Sequence, residues 1–164
     1  MTMKKYLTGI AALAVILLFA NAINIDANTN AGEPKSTKGA IDWLTIDEAQ
    51  ALNKKDPRPF FIDVYTDWCG WCKRMDKDTF SDEEVASYVN KNYYAVKLDA
   101  ESAGKVQFNG RQMSEAQLAG FFKVRGYPTI VLVDASLDNV TPKPGYKKPA
   151  GFLSMLRTFK DANS

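Results

Sequence analysis

The run FFIDVY, Phe60–Tyr65, is apolar, aromatic and β-branched, and it is bounded by the breakers of DPRP on one side and by Thr66 and Asp67 on the other. A short run of that kind reads as a buried strand. It leads straight into TDWCGWCKRM, which holds both cysteines of the chain, Cys69 and Cys72. With a helix beginning at that motif, the i, i+3 spacing puts the two sulfurs on one side, a turn apart and within bonding reach. The fold therefore has to deliver a buried strand directly into a helix that opens with a cysteine pair. The strand carries one acid, Asp63, at its middle.

The pair has several possible uses. A structural zinc site takes four Cys or His ligands. The chain has two cysteines and no histidine, so such a site is excluded within one chain. A permanent disulfide around two intervening residues closes so little chain that it stabilises weakly by entropy. Buried unpaired thiols fit poorly with export. The lack of histidine also removes Cys–His nucleophilic catalysis. A redox dithiol remains the favoured reading. Cys69 would then sit at a helix N-terminus, where free N–H groups and the helix dipole stabilise a thiolate, the attacking species in disulfide exchange. Cys72, one turn deeper and less exposed, would be the resolving thiol. Lys73 is the nearest cation in sequence and either helps to stabilise the thiolate or is an ordinary solvated helix residue.

Export is read from the first 22 residues. Lys4 and Lys5 precede an almost wholly apolar stretch at 7–20, followed by Ala20, Asn21 and Ala22. Charged, apolar, then small is the order of a secretory signal peptide. Fourteen apolar residues fall short of the roughly 20 that a spanning helix needs, so cleavage after Ala22 is expected over an uncleaved anchor. Loss of Lys4 and Lys5 leaves 19 basic against 19 acidic residues, with no basic footprint for nucleic acid. Residues 23–40 read as a flexible leader, and 41–164 as one domain with a core of its own.

Within the domain, Thr45 with Glu48 forms a capping box for a helix to about Lys54. KRMDKDTF continues the helix that opens at the cysteines. Ser81 with Glu84 is expected to cap a helix to about Lys91. Residues 93–98 and 129–134 read as strands, with an irregular connection at 99–113 containing an Asn109-Gly110 turn signal. Ser114 with Gln117 caps a helix ending near Val124, a strand follows near 140–146, and Pro149 opens the last helix. Strands interleaved with helices imply an α/β fold with a mixed sheet covered on both faces.

FFIDVYTDWCGWCKRM resembles the active-site segment of the thioredoxin superfamily: an apolar strand with one acid, then Trp-Cys-Gly-x-Cys-Lys. KVRGYPTIVLVD, at 123–134, is similar to the family's second signature, a proline opening a central strand. The match spans roughly 41–161. The long connection before Pro128 and the PGYKKPAGFLSML segment are similar to exported bacterial thioredoxin-like proteins of the sulfur-oxidation-associated type. The resemblance implies a thioredoxin fold: a central mixed sheet flanked by helices on both faces, with an extended connection before the strand opened by a cis Pro128. It implies that Asp63 lies beneath the cysteines, where burial raises its pKa and lets it take the Cys72 proton; the plainer alternatives are a turn cap or a pair with a lysine such as Lys97. Trp68 packs the strand–helix junction or, with Trp71 and Tyr127, rims a substrate site beside Pro128. Trp71 stands where thioredoxins have proline, which leaves the direction of electron flow open.

The expectation is an exported, periplasmic thiol:disulfide oxidoreductase that reduces partner-protein disulfides through a mixed disulfide. It would need no cofactor or metal beyond the Cys69–Cys72 pair, and would draw electrons from a membrane thiol–disulfide donor. The alternatives are an oxidant or isomerase of the same fold, or a redox-inert peptide-binding module.

Overall fold

Phe60–Tyr65 forms β2, the third strand of a five-stranded sheet, in a computed structural model that describes residues 39–163. The expected signal segment, and all of the leader but Gly39 and Ala40, lie outside the described residues. Trp43–Leu44 is β1, Ile46–Asn53 is α1, Gly70–Met75 is α2, Glu83–Asn92 is α3 and Tyr94–Asp99 is β3. A hairpin of β4 (Lys105–Phe108) and β5 (Arg111–Ser114) leads into α4 (Glu115–Phe121). The chain finishes with β6 (Thr129–Val133), β7 (Val140–Pro144) and α5 (Pro149–Ala162). The order across the sheet is β1-β3-β2-β6-β7. β1, β3 and β2 run parallel, while β6 is antiparallel to both β2 and β7.

Side chains alternate across a strand, so β2 sends Phe60, Ile62 and Val64 to one face and Phe61 and Asp63 to the other. Each face buries its own core. Phe61 packs with Met75, Phe80, Val85 and Phe152 under α2, α3 and α5. Phe60, Ile62 and Val64 pack with Ile46, Phe108, Leu118 and Phe122 under α1, α4 and the hairpin. The helices cover both faces, so β2 is buried along its length apart from Tyr65.

Two capping boxes form as their sequences require, Thr45 with Glu48 and Ser114 with Gln117. The third is different. The cap of α3 is Asp82, whose Oδ1 accepts the N–H groups of Glu84 and Val85 at 3.0 Å each, while the Ser81 hydroxyl turns back to the Lys77 carbonyl. The carboxylate wins because it takes two orphan N–H groups at once and carries charge at the positive helix end. The helix after the cysteines changes pitch, and Asp76–Phe80 forms a π turn.

The connection at 99–113 is more regular than expected. Asn109 and Gly110 both adopt positive φ (48° and 76°) and close the β4–β5 hairpin, the geometry that makes Asn-Gly a two-residue turn. Helix α1 holds this hairpin by its side chains: Gln50 Nε2 donates to the Gln107 carbonyl at 2.7 Å, and Asp47 Oδ1 accepts the Gln107 N–H at 3.1 Å. β1 was not visible in the sequence, being two residues long.

Asp82→Ala is expected to lower the unfolding free energy of the oxidised protein by about 1 kcal/mol. Ser81→Ala should cost less than half of that. Urea denaturation followed by circular dichroism reads both.

Candidate active site

At the C-terminal end of β2 the chain turns through Thr66 to Trp68 and enters α2. The Cys69 N–H donates to the Thr66 carbonyl at 3.1 Å. Cys69 itself is the N-cap, with extended backbone (φ −73°, ψ 102°), and its Sγ accepts the Cys72 N–H at 3.1 Å. A sulfur thus fills the role that a Ser or Asp oxygen has at other caps. Cys69 and Cys72 are joined as a disulfide with Cα atoms 5.3 Å apart. Both are buried, 5% and 3% exposed, so the depth difference expected between them is slight.

Asp63 is 1% exposed. On the alternation of β2 it points to the face that α2 covers. Lys97, its register partner on β3, donates to Asp63 Oδ2 at 2.7 Å, so the lysine pairing weighed from sequence is present. Among the described residues Asp63 Oδ1 is buried without a hydrogen-bond partner, as is the hydroxyl of Thr66. Burial pushes the Asp63 carboxyl up to about 6 against the charge and hydrogen bond of Lys97, with Asp76 acting in the same direction as burial. Lys97 responds oppositely. Burial works to lower its pKa, but Asp63 and Asp76 outweigh it and hold the ammonium above its usual value. Lys97 also bonds Asp76, the first residue of the π turn, and lies 4.7 Å from the Trp43 ring centre and about 5 Å from those of Tyr65 (5.2 Å) and Phe80 (5.3 Å). A cavity of about 440 Å³ opens beside Lys97 and Asp76.

The Tyr127–Pro128 peptide bond is cis. Val64 pairs with Thr129 at the end of the β2–β6 register, which brings Pro128 to the same end of the sheet as the cysteines. The Tyr127 ring packs edge-on against Trp68 with centroids 5.9 Å apart. The backbone N–H and C=O of Tyr127 make no hydrogen bond among the described residues. Trp68 is 67% exposed, which corrects the core-packing alternative: its ring lies on the surface. Its indole N–H donates to Glu101 at 3.0 Å. Trp71 is 55% exposed and meets Tyr146 at 5.5 Å, with the Arg74 guanidinium over both rings at 5.4 and 5.9 Å. Asp78 accepts from Arg74 Nε at 3.1 Å and from the Tyr146 hydroxyl at 3.2 Å. The Lys73 side chain is exposed and makes no ion pair or hydrogen bond among the described residues, while its backbone N–H donates to the Cys69 carbonyl at 3.2 Å.

Sequence reasoning missed Thr66, Asp76, Glu101, Tyr146 and the Arg74–Asp78 pair. The i, i+4 spacing of Arg74 and Asp78 was a usable signal; Glu101 and Tyr146 reach the site from distant loops and had none. Among the described residues no group of three or more His, Cys, Asp or Glu side chains could hold a metal ion, and no helix is long and apolar enough to cross a membrane.

A family description, "Thioredoxin-like domain", matches residues 46–160. The chain belongs to the thioredoxin-like family. Its relatives include the thiol:disulfide interchange protein DsbD of Vibrio vulnificus, 28% identical over 159 residues, which cover 92% of this chain but 25% of that protein. The disulfide bond reductase DsbH of Chlamydia pneumoniae is 25% identical over 139 residues, covering 81% of this chain and 82% of that one. Among solved structures, a putative disulphide-isomerase from Bacteroides thetaiotaomicron superposes with a TM-score of 0.55 at 28% identity, over 72% of this chain and 89% of that one. A DsbH oxidoreductase structure superposes at 0.58 over 74% of this chain and 85% of that one; at 22% identity it shows the fold alone. The chain thus spans a quarter of the DsbD relative's length and most of the DsbH relative's. Fold and family are shared with these relatives, and the chain carries the Cys69–Cys72 pair at the matching end of its sheet.

The raised Asp63 pKa has a measurable consequence. The unfolded carboxyl ionises near 3.8 and the folded one near 6, so the native state holds the proton longer and loses stability as pH rises through that window. The full effect is about 3 kcal/mol. In urea denaturation of the oxidised proteins, Asp63→Asn should gain about that much relative to wild type between pH 4 and pH 8. A constant difference across that range would contradict it.

Proposed function

We propose that this chain is an exported reductase of protein disulfides. The observation that carries the reading is the capping of α2 by Cys69 sulfur. The Cys72 N–H that bonds it in the oxidised pair would stabilise a Cys69 thiolate in the reduced pair, making Cys69 the attacking sulfur.

The reaction starts from the reduced dithiol. The Cys69 thiolate attacks one sulfur of the substrate disulfide, forming a Cys69–substrate mixed disulfide and expelling the other substrate sulfur as a thiolate. Cys72 gives its proton to the Asp63 carboxylate and attacks Cys69 Sγ, which breaks the mixed disulfide. The second substrate sulfur leaves as a thiolate, and both leaving thiolates take protons from solvent. Two electrons pass to the substrate, and the Cys69–Cys72 disulfide is left behind. Return to the dithiol requires a dithiol reductant, for which a membrane thiol–disulfide donor fits an exported protein. Asp63 suits the acceptor role because its carboxyl titrates near 6, close to working pH. The cavity beside Lys97 and Asp76 offers that proton a way out to water.

Trp68, Trp71 and Tyr127 form the rim for the substrate polypeptide. The backbone of Tyr127 beside Pro128, unpaired among the described residues, offers a donor and an acceptor to an extended segment, the strand-addition mode of peptide recognition. Export rests on the charged, apolar and small-residue order of residues 1–22.

Cys72→Ser, expressed with the full leader, should trap mixed-disulfide partners in the exported fraction that dithiothreitol releases; a variant that traps none would remove the exchange role. Equilibration of the wild-type pair with glutathione buffers should give a potential well below −120 mV, the strong-oxidant end of the scale. A value at that end would reverse the direction. Asp63→Asn should slow single-turnover reduction of a small disulfide by about 100-fold at pH 7, the lower end of the range of general acid–base catalysis, and flatten the pH profile near 6.

A further inference from the structure

The sheet delivers four loops to one end. β2, β3 and β7 all run toward it and β6 starts from it, because β2 is parallel to β3 and β6 is antiparallel to both β2 and β7. In the order β3-β2-β6-β7 these loops present Glu101, the cysteine pair, Tyr127-Pro128, and Tyr146. Two aromatic ledges stand there. Trp68 with Tyr127 is tied to Glu101, toward the β3 side. Trp71 with Tyr146 is tied to Arg74 and Asp78, toward the β7 side. Both ledges are ordered by hydrogen bonds and both stay open to solvent.

Their charges differ: carboxylates gather at the first, while the second carries the Arg74–Asp78 ion pair and Lys147. Asp67, Asp99, Glu101 and Glu115 gather at the ends of β2 and β3. After burial itself, the negative charges of Asp99, Asp67 and Glu115 help hold the Tyr65 hydroxyl above its usual pKa. At the other ledge stand Arg74 and Lys147. Arg74 is 60% exposed, and Asp78 engages only its Nε, leaving the terminal guanidinium nitrogens unbonded among the described residues. Lys147 is fixed alongside: its carbonyl accepts from Thr79 at 2.6 Å, and its ammonium donates to the Pro144 carbonyl at 3.1 Å. Burial and the neighbouring Lys143 lower its pKa.

We propose that these ledges form a charge-polarised recognition site for the polypeptide around a substrate disulfide: a basic side chain meets Glu101 and Asp67, an acidic side chain meets Arg74 and Lys147, and the substrate cysteine lies between them. This rests on the reading of Cys69–Cys72 as an exchange pair and names its substrate class. The spacing follows from the sheet. From β3 to β7 there are three interstrand steps, about 14 Å, and an extended chain crosses that in about four residues. The complementary charges of the substrate therefore flank its cysteine at about two residues on either side. A substrate with like charges at both places meets repulsion at one ledge whichever way it lies.

The test uses the pre-reduced protein in single turnover. Its substrates are synthetic peptides of one cysteine in a disulfide with a neutral thiol, carrying Lys at −2 and Glu at +2, the reverse, Lys at both, or Glu at both. At low salt one mixed-charge orientation should react about 5- to 10-fold faster than the like-charged peptides, the worth of two exposed charge pairs. The ratio should shrink at about 0.5 M salt, where screening is short-ranged. The double charge swap Arg74→Glu with Glu101→Lys should invert the preference between the two mixed peptides, and Lys147→Glu should weaken the preference for Glu on its side. Ratios within each variant cancel any general loss of activity. Equal wild-type rates for all four peptides, or a preference that the charge swap leaves in place, would overturn the proposal. If the folded wild type reduces none of them, the exchange reading itself falls.

Discussion

A single carboxyl in the middle of the central strand is the constraint around which the site is arranged. Asp63 cannot be solvated where β2 places it, so its surroundings must supply what water does not. They supply only part of it. Lys97 reaches one oxygen from the adjacent register position, and the other oxygen has no hydrogen-bond partner among the described residues. The ammonium is in turn shared with Asp76 and enclosed by Trp43, Tyr65 and Phe80. A fully paired carboxylate would titrate low and serve as a structural ion. A half-paired one titrates near 6 and stays available for proton exchange. The π turn beginning at Asp76 belongs to the same arrangement, since it supplies the acid that competes for Lys97. Such local changes of helical pitch are frequent at functional sites.

The sheet's strand directions account for the rest of the site. Four loops from strands far apart in sequence come together because parallel and antiparallel pairing send their ends the same way. Each aromatic ledge joins the cysteine segment to one of the distant loops, Trp68 to Tyr127 and Trp71 to Tyr146. The exposed tryptophans are thus braced against partners, and an aromatic surface held in place loses little conformational entropy when a peptide binds.

What the sequence made legible was local. β2 followed from an apolar run between breakers, α1 and α4 from their capping boxes, and the helix at the cysteines from the i, i+3 spacing with its resemblance. The hairpin in 99–113 was half legible: the Asn-Gly turn was visible, but its strands are short and partly solvated, and their register depends on Gln50 and Asp47 of α1. The cap of α3 was misread by one residue because Ser81 and Asp82 are both good caps, and only the chain path decides between them. The Lys97 partner of Asp63 was visible as a possibility because both lie mid-strand. Glu101 and Tyr146 were not, since what assigns them to the site is sheet order, a property no window of sequence contains.

The geometry also bears on the direction of electron flow. Two influences act on the dithiol in opposite senses. The Cys72 N–H at Cys69 sulfur favours a thiolate, which stabilises the reduced pair and makes its disulfide more oxidising. An ionised Asp63 on the face that α2 covers disfavours a second negative charge nearby, which destabilises the reduced pair and makes the dithiol a stronger reductant. The oxidised pair is uncharged, so the cap hydrogen bond it keeps is weaker there than to a thiolate, and Asp63 acts on it little. Each 1.4 kcal/mol of difference between them moves the potential by about 30 mV. Because Asp63 titrates near 6, its influence is largely present at neutral pH and fades in acid, whereas the cap hydrogen bond does not depend on protonation of Asp63. On the proposed reading, the carboxyl that takes the Cys72 proton is also the charge that biases the pair toward giving electrons away, and protonating it weakens both effects together.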